Sequence, residues 1–107
     1  MNVDFKDIDT LVHGPQRLAI LTNLQIDGTL DFTTLKRRLD LSDGLLGSHL
    51  MKLEEAGYIT SEKGFVGRRP KTIYGITPAG RRALSAYLSA MQQVIDAVAA
   101  TRRRGSG

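Results

Sequence analysis

The chain has 107 residues, no cysteine, 41% hydrophobic residues and a formal charge of +4. That length supports a single modest core with little room for a separate catalytic or ligand-binding domain, and without cysteine neither a disulfide framework nor a thiolate metal site can form. No apolar run approaches the ~18 residues of a membrane span, and the start MNVDFKDID lacks the basic and apolar regions of a secretory signal, so a soluble cytoplasmic protein is expected.

The net charge hides a polarity. Residues 1–62 hold six Lys/Arg against ten Asp/Glu, whereas residues 63–107 hold nine Lys/Arg against Asp96 alone. A basic second half is what a nucleic-acid binder needs, although solvated helices also carry such charge.

In chain order, Phe5, Ile8 and Val12 repeat at three and four residues and predict a short amphipathic helix over about Lys6 to Val12, ended by Gly14. Pro15 suits the first turn of a second helix, where its missing N–H is no loss, and Leu18, Ile20, Leu21 and Leu24 form its inner face up to about Gln25, before Asp27-Gly28. Thr29 to Phe32 alternates and reads as a small strand. Thr33 is the expected N-cap of a helix to about Leu39, with Leu35 and Leu39 inward and Lys36, Arg37 and Arg38 outward. Ser42 caps the next, running to about Ala56 on a stripe of Leu46, Leu50 and Leu53 and stopped by Gly57. The short turn Asp40 to Ser42 between these helices makes a helix-turn-helix, which leaves the outward face of the second helix free. Tyr58 to Glu62 and Thr72 to Ile76 alternate as the strands of a hairpin with Gly-Arg-Arg-Pro at its tip, a wing. Thr77-Pro78 then starts a last helix of ~26 residues, ~40 Å long at 1.5 Å per residue. The expected fold is mainly α with a small β-hairpin wing. One domain spans residues 1–107, divided at about 1–14 (N-terminal helix), 15–76 (winged helix core), 77–104 (C-terminal dimerisation helix) and 105–107 (tail).

The candidate site lies on the Ser42 to Ala56 helix and on the hairpin. Off the core stripe of that helix stand Asp43, Gly44, Leu45, Gly47, Ser48, His49 and Lys52. Two glycines cost it about 1 kcal/mol each relative to Ala, which points to close approach by DNA backbone or base edges. Ser48 suits a base edge, Leu45 a thymine methyl, and His49 and Lys52 bases or phosphates. The plainer alternative is a set of exposed positions whose small residues pack on a neighbouring helix. Thr33 and Ser42, at the starts of their helices, complete the expected contact set on the helices. On the wing, Arg68 and Arg69 suit a narrow minor groove, and Lys63 and Lys71 suit phosphates; the alternative is a charged loop that keeps an edge strand soluble.

Nothing catalytic is read. His13 and His49 are far apart, no ligand spacing is present, and the serines lack a nucleophile elbow or a base, so neither enzyme chemistry nor a metal or cofactor is expected. The last helix carries Leu84, Tyr87, Met91, Val94 and Val98 at a three-four spacing, flanked by Leu88 and Ile95. That seam predicts a dimer interface, joined by Phe5, Ile8 and Val12, because the helix outruns the domain. Packing of its first turns on the Leu18 to Leu24 face is the intramolecular alternative.

Three segments carry a family resemblance: His13-Gly-Pro-Gln-Arg-Leu-Ala-Ile-Leu21, Ser48-His-Leu-Met-Lys-Leu-Glu-Glu-Ala-Gly-Tyr58, and Gly67-Arg-Arg-Pro-Lys-Thr-Ile-Tyr74 running into Ile76-Thr-Pro-Ala-Gly80. Over about Leu11 to Leu88 the chain resembles small single-domain winged helix-turn-helix transcriptional regulators of the MarR, PadR and ArsR kind. The resemblance implies a homodimer whose Ser42 to Ala56 helices read adjacent major grooves of a palindromic double-stranded operator while the wings reach minor grooves or phosphates. Leu45 stands where relatives often carry a polar residue, which favours a thymine contact there. The absence of cysteine pairs argues against release by metals. A dimeric repressor is expected; a cavity between the last helices and the core could hold a small apolar effector, whose chemistry no residue set marks. The alternative is a winged helix that serves as a protein-interaction module.

Overall fold

The computed structural model describes residues 8–105, in the order α1 (Pro15–Asp27), β1 (Thr29–Asp31), α2 (Phe32–Leu39), α3 (Asp43–Glu55), β2 (Ile59–Val66), β3 (Arg69–Ile76) and α4 (Pro78–Gly105). The strands form one antiparallel sheet in the order β1-β3-β2. This is a winged helix-turn-helix with a long C-terminal helix, as expected. Ile20, Leu21 and Leu24 of α1, Leu35 of α2 and Leu46, Leu50 and Leu53 of α3 meet in one core with Ile59, Leu84 and Tyr87. The inner faces predicted from spacing are thus buried, except that Leu18 and Leu39 are half-buried against the edge of this core.

Local chemistry explains most boundaries. Pro15 opens α1, and Gly28, at φ 88°, closes it with its N–H on the Leu24 carbonyl. At α3, Leu45 N donates to Ser42 Oγ at 3.2 Å, so Ser42 is the N-cap; Gly57, at φ 79°, follows the helix in the left-handed region that glycine enters without strain. Thr77 caps α4 by accepting from Gly80 N at 3.0 Å while its hydroxyl donates to the Gly57 carbonyl at 2.6 Å.

Two helix starts differ from expectation. The predicted helix from Lys6 to Val12 is absent over its described part, where residues 8–14 form a bend and turn instead. Asp9 is the cause: its Oδ1 accepts from Leu11 N at 2.9 Å, offering the backbone a local turn, and its Oδ2 accepts from Tyr58 OH at 2.6 Å. Phe5, counted on the same stripe, lies outside the described residues. In α2 the N-cap is Asp31 and not Thr33, which sits exposed within the first turn; Asp31 accepts from the Thr34 hydroxyl, and that bond is the main reason its carboxyl is held below the usual range.

The wing is longer than the two predicted strands. Its ladder continues through Phe65↔Pro70 to Val66↔Arg69, leaving Gly67 and Arg68 as a two-residue turn with Gly67 at φ 63°. Positive φ at the first central position alone is the pattern of a type II′ turn, whose twist suits a hairpin. Pro70 is accommodated because β1 pairs only with residues 73–75, so at Pro70 the strand has a single neighbour.

In α4, Leu84 and Tyr87 are buried and Ala83 and Met91 pack on the core. From Gln92 to Arg102 no side chain packs there. Val12, Leu84 and Tyr87, expected at a dimer interface, are a correction: all three lie inside the core of their own chain, at 0%, 2% and 5% exposure. The apolar side chains left in solvent are Leu88, Ile95 and Val98, with Val94 half-buried beside them.

Candidate nucleic-acid interface

With its leucine stripe inward, α3 turns Gly44, Ser48 and Met51 outward on one ridge at spacings of four and three, flanked by Leu45 and Lys52. The glycines are not there for packing: a Cβ built on Gly44 or Gly47 meets no atom within 4 Å. They lower the height of the ridge and leave backbone open to whatever approaches.

Cross-strand pairs share a face of the hairpin, so Ser61, Lys63 and Phe65 lie on one side with Tyr74, Thr72 and Pro70, while Gly64 and Val66 lie on the other with Lys71 and Arg69. The first face meets α3. Between them runs an open groove of about 220 Å³, with Gly47, Met51 and Glu54 on its helix side and Ser61, Lys63 and Tyr74 on its strand side. The Ser61 hydroxyl donates to Glu54 and ties the base of the wing to the end of α3. Burial, with the Glu54 charge nearby, pushes the Tyr74 phenol above its usual range, so it stays a neutral donor.

The predicted contact residues fall into three groups. Gly44, Leu45, Ser48 and Lys52 are exposed together on the outward side of α3, with Gly47 beside them at the groove and Lys63 across it. Asp43 is exposed at the helix start, but its carboxylate is engaged by Lys36 Nζ at 2.8 Å, which clips the two helices of the helix-turn-helix together. The wing bases divide: Lys63 faces α3, Arg68 occupies the turn, and Arg69 and a half-buried Lys71 project from the far face. Lys71 is near enough to Asp31 for its charge to help lower that carboxyl.

His49 is half-buried, with Nδ1 3.5 Å from Arg17 Nη1; Arg17 also donates through Nε to the Leu11 carbonyl at 2.6 Å. Burial first, then the charges of Arg17 and Lys52, hold the imidazole below its usual value. His13 sits elsewhere, its Nδ1 2.9 Å from Tyr87 OH. Among the described residues no group of three or more His, Cys, Asp or Glu gathers to hold a metal ion, and no helix is long and apolar enough to cross a membrane.

Three exposed residues escape the sequence reading. Met51 is 60% exposed on the α3 ridge, and its signal was its spacing, three from Ser48 and four from Gly47. Phe65 and Val66, 74% and 60% exposed, stand at the wing end, where two large apolar residues amid basic ones were the available cue.

Residues 16–95 match a family model described as a winged helix DNA-binding domain. Over 77 residues the chain is 40% identical to an uncharacterized protein of Methanocaldococcus jannaschii, covering 72% of this chain and 80% of that one. A transcriptional regulator homologue from Pyrococcus horikoshii OT3 superposes with a TM-score of 0.76 at 32% identity, over 82% of this chain and 87% of the other. A candidate transcriptional regulator of the MarR family from Enterococcus faecalis V583 superposes at 0.68 and 27% identity, over 89% and 84%.

Proposed function

We propose that this chain, which belongs to the winged helix DNA-binding domain family, is a homodimeric transcriptional regulator that represses by occupying a palindromic operator. The observation that carries the reading is the arrangement of α3 and the wing: a low, glycine-bearing ridge with Ser48 and Lys52 exposed, beside a hairpin that holds Lys63, Arg68, Arg69 and Lys71 and no acid from Lys63 to Lys71. Such a ridge suits major-groove edges, and the basic hairpin suits the phosphates or the minor groove alongside. The likeness to regulators of other organisms supports the same reading.

Dimerisation is supported by α4, which leaves Leu88, Ile95 and Val98 exposed and no longer packs on the core beyond Met91. A two-fold pair sets recognition helices about 34 Å apart, one turn of B-DNA. For a small-molecule effector, a cleft of about 290 Å³ lined by Ile8, Thr10, His13 and Met91 offers an apolar space with two polar groups, next to the helix that joins the subunits.

Selection of bound duplexes from a random pool tests the reading. A two-fold symmetric consensus is expected, with log affinity falling steeply against log salt. Replacing Arg68 and Arg69 by Ala removes two charges from each wing of the dimer and should flatten that slope by up to about 3.6 units. Failure to retain any duplex, or salt-independent retention, would favour the protein-interaction module.

A further inference from the structure

The end of the wing is apolar on both faces. Successive strand residues point to opposite sides, so Phe65, paired with Pro70, projects from the α3 face and Val66, paired with Arg69, from the other. Nothing in the described chain covers either, at 74% and 60% exposure. Both lie within two residues of the Gly67-Arg68 turn, in the stretch from Lys63 to Lys71 that carries Lys63, Arg68, Arg69 and Lys71 and no acid.

Charge alone keeps an exposed hairpin end soluble, and large apolar side chains on it work against that. An apolar blade with a basic rim is complementary to a surface that is apolar within and anionic along its edges. The DNA minor groove has that character, with deoxyribose walls and phosphate rims. The blade is also continuous with the α3 groove through Lys63, which shares a face with Phe65.

We propose that Phe65 and Val66 form an apolar wedge that enters the minor groove beside the α3 contact and opens it, so that the wing selects sites by their deformability. The inference rests on the DNA-binding reading above. A β-layer with side chains on both faces is about 10 Å thick, and the B-form minor groove is about 6 Å wide. Entry therefore requires the groove to widen and the bases beneath to unstack in part. Pyrimidine–purine steps do this readily and A-tracts resist it. Base steps under the wing acquire a preference without receiving a hydrogen bond, in favour of TA or CA/TG.

The chain has no tryptophan, so Phe65→Trp supplies a single fluorescent reporter at the wedge. On the selected duplex its emission should shift to the blue and become shielded from acrylamide. The unsubstituted protein should prefer a TA step over an A-tract under the wing by about 10-fold, and Phe65→Ala with Val66→Ala should abolish the preference and weaken operator binding about 10-fold. The salt slope should not change, because no charge is removed. Retained preference and affinity in the double variant would overturn the wedge, as would an indole still open to acrylamide on bound duplex, or one that shifts on phosphatidylglycerol vesicles and not on duplex. If the unsubstituted protein binds no duplex at low salt, the DNA reading falls with it; if it binds but ignores the step under the wing, the wedge alone is wrong.

Discussion

The carbonyl oxygen of Tyr58 lies 2.1 Å from the point where a Cβ on Gly80 would sit. The same carbonyl accepts from Thr77 N at 3.0 Å, so the start of α4 is fastened to the start of β2 with no space between them. A methyl group there meets backbone, which cannot rotate away. Gly80→Ala should destabilise the fold by about 2 kcal/mol or more, overpacking outweighing the ~1 kcal/mol gain in helix propensity. Urea unfolding checks this, and a neutral or stabilising effect would mean that α4 is seated differently.

Gly47 is the opposite case. Its Cβ position is empty to 4 Å, so Gly47→Ala should stabilise the protein by about 0.5–1 kcal/mol through helix propensity alone. If the low α3 ridge admits DNA closely, the same variant should bind its selected duplex more weakly despite being more stable. Denaturation and binding measured side by side separate the two effects. Unchanged affinity would show that α3 does not approach DNA at Gly47.

How much of this was legible in sequence depended on how local the cause is. The Ser42 cap, the Leu46, Leu50, Leu53 stripe and the Gly57 stop act within a few residues, and α3 was placed to within one. Over residues 8–12 a turn replaces the expected N-terminal helix because the Asp9 carboxylate bonds both Leu11 N and the distant Tyr58 hydroxyl, a tertiary contact that no periodicity displays. Wing length depended on cross-strand pairing as far as Val66↔Arg69. In α4, apolar residues at 84, 87, 88, 91, 94, 95 and 98 permit two neighbouring seams, and the core, by taking Leu84 and Tyr87, decides which one remains outside.

His49 gives a pH dependence of two signs. Burial, Arg17 and Lys52 hold its folded value below the ordinary imidazole value of about 6.5. The unfolded chain therefore takes up a proton at higher pH than the folded one. The contribution of His49 to stability is fully present above about pH 6.5 and is lost as pH falls through the folded value. Phosphates nearby would favour the imidazolium, so DNA affinity should rise as pH falls over the same window. Site-resolved NMR titration of His49, free and on duplex, tests both parts, and His49→Gln should remove the two dependences. An imidazole that titrates identically with and without duplex would remove His49 from the interface.

The strip that α4 leaves in solvent is Leu88, Ile95 and Val98, at 51%, 57% and 63% exposure, with Met91 between them half-buried against the core. The spacing 88, 91, 95, 98 alternates three and four, one position round from the expected seam, and suits knobs-into-holes packing with a second copy. Leu88→Glu with Ile95→Glu puts like charges on that strip, so no register of a symmetric pair lets them neutralise each other. Neither side chain is in the core, and the variant should keep its helical circular dichroism while sedimenting as a monomer. Loss of the second half-site should weaken operator binding on the order of 100-fold or more. Leu84→Glu makes the contrast, because a charge inside the core should unfold the chain. A double variant that remains dimeric, or a monomer that binds its operator undiminished, would show that this strip does not join the two recognition helices.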